Sequence, residues 1–205
     1  MDAEFTVELA AGDPTLTIPW SSDDGRLRYH DLKRRPDLLL YVDEASRYQE
    51  LAEFLVQINL PASLLQSAKC DVWYSTELSE PEAVYGAAGK FVSYVDVFFA
   101  DDAARYSFEQ HEEFARRLIK LLGRAPQISA AAEFIVRRCY YENAGENGGA
   151  EPASHCEGFY FTFYLSAYGD DEGDARKRWG IALKLVGNAI LQLSVGSKSE
   201  VRSQT

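Results

Sequence analysis

Two segments of equal length, Gly89–Asp102 (GKFVSYVDVFFADD) and Gly158–Asp171 (GFYFTFYLSAYGDD), share an opening glycine, a dense run of β-branched and aromatic residues and a closing Asp-Asp pair. Residues of that kind fit a pleated surface and lose side-chain freedom in a helix. Each segment is therefore expected to form one long strand, and a chain holding two such strands must build a sheet around them. A helix should follow each. After the first, Ser107 and Gln110 have capping-box spacing, Phe114, Leu118, Leu121 and Leu122 recur at helical spacing, and Gly123 and Pro126 are stop signals. After the second, Trp179, Leu183, Val186, Ile190 and Leu193 mark a helix over 174–193.

A shorter apolar run precedes each long strand, CDVWYSTEL from Cys70 and EFIVRRCYY from Glu133, across connections rich in Pro or Gly. The unit is then strand, strand, helix, repeated over about 70–123 and 133–193. An earlier copy ending near residue 60 is expected as well, because DLLLYVDEASRY from Asp37 resembles VFFADDAARY from Val97, and Tyr48, Leu51, Leu55 and Ile58 mark a helix after it. FTVEL, TLTIPW and RLRYHDL are candidate strands upstream. The fold class that follows is α+β, a mainly antiparallel sheet with about three helices packed on one face and the other face open or covered by a partner. A single domain spans 1–193, ENAGENGGAEPAS from Glu142 reads as a loop, and 194–205 reads as a disordered tail.

Composition narrows the function classes. The chain has 205 residues, with 21 Lys plus Arg against 32 Asp plus Glu, a net charge of −11. That balance repels a polyphosphate, so nucleic acid is not an expected partner. No run of about 20 apolar residues is evident, and the start Met1-Asp2-Ala3-Glu4 is acidic where a secretion signal is basic, so a cytoplasmic protein with no membrane association is expected. Cys70, Cys139 and Cys156 are odd in number and fit no disulfide or CxxC pattern.

The phosphate-binding spacings GxGxxG and GxxxxGK[ST] and the GxSxG elbow are missing, so no cofactor is expected and the chain leans away from an enzyme. The pairs Asp101-Asp102 and Asp170-Asp171 admit a metal reading. Their place at strand-to-helix transitions favours caps for orphan backbone N–H groups instead. Cys139, His155 and Cys156 could supply zinc donors, but adjacent residues of a strand point to opposite faces and no fourth ligand is evident.

Alternation places Val92, Tyr94, Asp96 and Phe98 on one face of the first long strand. Asp96 in that apolar row is either buried, with a partner or a raised pKa, or solvated and paired with Arg137 or Arg138. In the second long strand Phe159, Phe161, Phe163 and Leu165 share one face, and Tyr160, Thr162, Tyr164, Ser166 and Tyr168 the other. Phenylalanine is buried without hydrogen-bonding cost, whereas a buried tyrosine hydroxyl needs a partner, so the phenylalanines should meet the helices. The candidate binding residues are Tyr160, Tyr164, Tyr168, Trp73, Asp96 and Arg138, with Tyr74 and Tyr140 adjoining. The expected function is a non-enzymatic binding or interaction protein using this aromatic face, for instance an inhibitor or immunity-type protein. A small-molecule sensor or enzyme, with a pocket between sheet and helices that uses Asp96, Glu77, His111 or an Arg, is one alternative, and a self-associating structural protein is another.

Overall fold

The computed structural model describes residues 1–142 and 155–202, with 197–202 as helix backbone only. From residue 143 to Ser154, the glycine-rich stretch expected as a loop lies outside the described residues, as do 203–205. The chain forms a mixed α+β fold. Strands β1 (Asp2–Glu8), β2 (Leu16–Ile18), β3 (Leu65–Ser75), β4 (Gly89–Phe99), β5 (Ala130–Glu142) and β6 (His155–Gly169) make one six-stranded sheet in the order β1-β5-β6-β4-β3, with β2 following β1 along β5. The β3–β4, β4–β6 and β5–β6 pairs are antiparallel, while β1 and β2 run parallel to β5.

Helices α2 (Gln49–Ile58), α4 (Phe108–Leu122) and α5 (Glu172–Arg202) pack on one face, and the shorter α1 (Asp43–Arg47) and α3 (Asp102–Arg105) introduce α2 and α4. The helix-side core is what the alternation predicts. Phe91, Val95, Val97 and Phe99 of β4 and Phe161, Phe163, Leu165 and Ala167 of β6 are buried with Leu51, Phe54, Leu55 and Ile58 of α2, Phe114 and Leu118 of α4, and Trp179, Leu183, Val186 and Ile190 of α5. Polar groups enter this layer with partners, Ser93 and His111 among them. Ser93 Oγ accepts the indole N–H of Trp179 (2.9 Å), and His111 Nδ1 lies 2.8 Å from the Ser107 carbonyl.

Helix starts follow the capping logic. Asp101 accepts the Ala104 N–H (3.0 Å), Ser107 accepts that of Gln110 (3.3 Å), and Asp171, just before α5, accepts that of Asp174 (2.8 Å). Asp43 and Glu44 differ: they lie in the first turn of α1, and no side chain caps that helix.

Three expectations need correction. Residues Pro36–Tyr41 form a 3-10 turn, not a strand, because Pro36 supplies the fixed φ of a first helical position, and Leu40 and Tyr41 stay exposed. RLRYHDL contributes only a bridge between Ser21 and Arg28. The tail expected from Ser194 is helical to Arg202. Ser194 is buried, its hydroxyl donating to the Ile190 carbonyl (2.9 Å) and accepting the Leu64 N–H (3.0 Å), which docks this last stretch on the start of β3.

The stretch Glu172–Gly196 of α5 has the length and mean hydropathy (1.2) of a membrane-spanning helix, although no apolar run was evident in the sequence. Of its apolar side chains, Trp179, Leu183, Val186, Ile190 and Leu193 are buried in the core, while Ile181 and Val195 are exposed.

Candidate functional site on the outer sheet face

The sheet face away from the helices is not uniformly open, because two irregular segments of the same chain lie across it. At one end the connection between β2 and the 3-10 turn brings Trp20 and Tyr29 against a second buried cluster of Ile18, Ala68, Phe98, Cys139, Tyr141 and Tyr160. Trp20 donates its indole N–H to the Ala68 carbonyl (2.7 Å), and Ala68 is the residue bulged out of the β3–β4 register. At the other end the turn Pro81–Tyr85 folds over β6. Tyr85 stacks on Tyr168 (centroids 3.9 Å apart, planes within 10°), and Glu82 accepts from the Tyr168 hydroxyl (2.9 Å) and from Lys90 (2.7 Å). Burial works against ionisation of Glu82, but the hydrogen bonds from Lys90, Ser79 and Tyr168 hold its carboxyl down at about 2.

Tyr160 and Tyr168, both candidate binding residues, are therefore each only 3% exposed, and the face expected to be open or covered by a partner is covered there by the chain itself. Burial pushes the Tyr160 hydroxyl up to about 12. The cause of the miss is the cover: alternation assigns a residue to a face but carries no information about irregular chain that later crosses that face. Tyr164 sits between the two covers and stays half-buried. It lies directly opposite Tyr94 in the β4–β6 ladder, with ring centroids 5.9 Å apart. Trp73 of β3 adjoins Tyr94 (6.5 Å) and is 38% exposed. Tyr74, by contrast, packs against the helix-side core. Trp73, Tyr94 and Tyr164 form the uncovered strip.

Asp96 lies under this strip and is buried. Thr162, directly across the ladder, donates to Asp96 Oδ1 (2.6 Å), and Thr162 Oγ1 in turn accepts from Arg137 Nη1 (2.8 Å). Arg137 also donates from Nε to Glu8 (2.8 Å), so a polar chain crosses four strands from β1 to β4. Burial raises the Asp96 pKa to about 6, opposed by the Thr162 hydrogen bond and the charges of Lys69 and Arg137. Of the two arginines weighed for Asp96, Arg137 joins it through Thr162. Arg138, a candidate binding residue, points to the other face, donating to the Leu9 carbonyl (2.7 Å) and pairing with Glu157 (3.2 Å).

The zinc donors do not assemble: Cys139 is buried in the second cluster, Cys156 is half-buried and His155 is exposed beside Glu142 (3.8 Å). Among the described residues no group of three or more His, Cys, Asp or Glu could hold a metal ion. His111 is enclosed by Phe99, Phe159 and Phe161, and burial drives its pKa down to about 4, so it presents no group to solvent. Glu77 is exposed beyond the end of β3.

Beside the strip, at the outer edge of β3, is a cleft of about 400 Å³ that was not legible in the sequence. Lys69, Cys70, Asp71 and Tyr94 line it from the sheet, Trp20, Arg28 and His30 from the crossing segment, Tyr41 from the 3-10 turn, and Asp43 and Glu44 from the first turn of α1. The Lys69 ammonium lies over the rings of Trp20 (5.5 Å) and Tyr94 (6.0 Å). The only sequence signal for this assembly was Trp20 itself, an aromatic residue stranded in a segment read as a possible strand. Comparison of the chain with protein-family models, with curated proteins and with solved structures returned no match, so the face is read from its own chemistry.

Proposed function

We propose that the protein is a non-enzymatic binding protein whose working surface is the uncovered strip of Trp73, Tyr94 and Tyr164. The observation that carries this reading is the contrast within one sheet face: both ends are closed by the chain's own segments, while three aromatic rings in the middle keep solvent contact. Tyrosine and tryptophan offer large contact area with a polar handle and are enriched where proteins meet partners. With a net charge of −11, the favoured partner is a basic protein, approached by electrostatic steering. An inhibitor or immunity-type role is the analogy this description fits, in a cytoplasmic setting. Asp96 supports binding over catalysis in this reading, because the hydroxyl that meets it is itself held by Arg137 and belongs to a network that fixes the strip from beneath.

In the same reading the two strand-strand-helix units, β3–β4–α4 and β5–β6–α5, descend from one duplicated unit with an offset of 70 residues, Tyr94 matching Tyr164 and the cap Asp101 matching Asp171. The offset of 69 that aligns Gly89 with Gly158 would equate Tyr94 with Phe163, which lies on the opposite face.

The test is affinity capture from the native host by immobilised wild type, Tyr164→Ala and a distant control, Glu113→Lys, with thermal melting of each. A basic protein retained by wild type and control but lost with Tyr164→Ala, at unchanged melting temperature, supports the proposal. Identical recovery by all three overturns it, and concentration-dependent dimerisation abolished by Tyr164→Ala moves the reading to self-association.

A further inference from the structure

We propose that the cleft at the β3 edge is a binding site for a small zwitterion, a molecule carrying an ammonium and a carboxylate on an apolar or aromatic body, as α-amino acids do. This goes beyond the partner-binding strip, with which the cleft shares only Tyr94, and does not depend on that reading. The cleft's volume of about 400 Å³ lies in the range of small-ligand sites. Its lining is unusual in carrying both signs of charge in matched number: Arg26, Arg28 and Lys69 against Asp43, Glu44 and Asp71.

These charges do not neutralise one another across the cleft. Arg26 pairs outside the group, with Asp24 (3.5 Å). For Arg28, Lys69, Asp43 and Glu44, no side-chain ion pair or hydrogen bond is formed among the described residues, and Asp71 uses one oxygen on its neighbour's N–H, that of Val72 (2.7 Å). Lys69 is half-buried, held between the Trp20 and Tyr94 rings, with the buried Asp96 opposite it in the ladder. Burial and the charge of Arg28 lower the pKa of His30. A pure anion would meet the three carboxylates and a pure cation the three bases. A ligand with both charges offers a partner to each set, and charge-assisted hydrogen bonds at both ends are the strong ones. Trp20, Tyr41 and Tyr94 would receive the apolar body.

The experiment is titration calorimetry on the full chain with L-phenylalanine and L-leucine, beside two single-charge analogues, 3-phenylpropionate and phenethylamine. At least one amino acid should bind, with both analogues at least about tenfold weaker. Lys69→Gln should weaken the amino acid and the phenylpropionate alike, while Glu44→Gln should weaken the amino acid and leave phenylpropionate unchanged. Tyr164→Ala should bind as wild type, which separates the cleft from the strip. Binding of 3-phenylpropionate as tight as that of the amino acids overturns the zwitterion assignment, and no heat with either amino acid up to about 10 mM overturns the site.

Discussion

The two faces of this sheet are covered by different kinds of chain, and their chemistry differs accordingly. On the helix side, α2, α4 and α5 satisfy their own backbone hydrogen bonds, so the sheet can offer them a dry surface. Phe99, Phe114, Phe161 and Phe163 meet there edge-on or tilted, with centroids 5.5–5.9 Å apart. On the outer side the covers are irregular segments whose peptide groups need partners. Polar groups on both sides meet there: Lys90 and Tyr168 of the sheet donate to Glu82 of one cover (2.7 and 2.9 Å), Glu82 also accepts the Ser79 N–H of its own segment (2.7 Å), and Trp20 of the other cover donates to the Ala68 carbonyl of the sheet. Lys33, on the same crossing segment, donates to the carbonyls of Leu60, Ser63 and Leu65 (2.9–3.0 Å). A polar residue in a sheet face is thus a sign of what covers the face, as well as a candidate for function.

The sharpest way to break this comparison is truncation on each side. Phe161→Ala, from a fully buried ring, should cost roughly 3–5 kcal/mol, and Tyr160→Ala, buried in the second cluster, somewhat less. Tyr164→Ala should leave folding largely intact. Urea titrations of the three variants check the order, and Tyr164→Ala as damaging as Phe161→Ala would make the strip a continuation of the core.

Buried ionisable groups on the two faces should respond to pH with opposite sign. Asp96, raised from 3.8 to about 6 mainly by burial, favours the folded state when protonated; that contribution is complete below pH 3.8 and lost as pH rises through about 6. Wild type should lose roughly 2 kcal/mol relative to Asp96→Asn between pH 4 and 7. His111, lowered from 6.5 to about 4 by burial, favours the fold when neutral, so wild type should lose stability relative to His111→Phe as pH falls below 6.5. Denaturation of the pairs across pH 4–8 measures both, and a flat difference for Asp96→Asn would show that the Thr162–Arg137 chain compensates its charge fully.

Trp20→Ala should cost about 2 kcal/mol, since the ring is half-buried and loses a hydrogen bond with its packing. Amide exchange should rise in 16–32 while α4 and α5 stay protected; exchange rising everywhere would show that the cover is part of the cooperative core. The smallest effect belongs to the caps: Asp101→Ala and Asp171→Ala should each cost on the order of 1 kcal/mol by thermal melting.

Legibility followed periodicity. The long strands, the helix-side phenylalanines and the capping aspartates were readable because period two, period 3.6 and cap chemistry are local. Asp96 stood out as a carboxylate in an apolar row with its burial left open, and its partner Thr162 lies 66 positions away, where no local rule selects it. The likeness of the two long segments carried no face information, since the alignment that matches Gly89 with Gly158 sets residues of opposite sheet faces against each other. The burial of Tyr160 and Tyr168, and the cleft around Lys69, depend on where segments without periodicity settle, and sequence pattern says least about those.

The pairing of β1 with β5 also sets a timetable for a chain made from its N-terminus. Asp2–Glu8 is synthesised well ahead of its partner residues, Ala131–Arg137. At cellular rates β1 therefore waits on the order of ten seconds for β5. During that wait β3 and β4 can pair, because a short connection joins them, but the inner edge of β4 has no neighbour until β6 emerges. The half-made protein thus displays a long apolar strand edge of the kind that invites association between chains. The arrival of residues 155–169 is the event that ends that exposure.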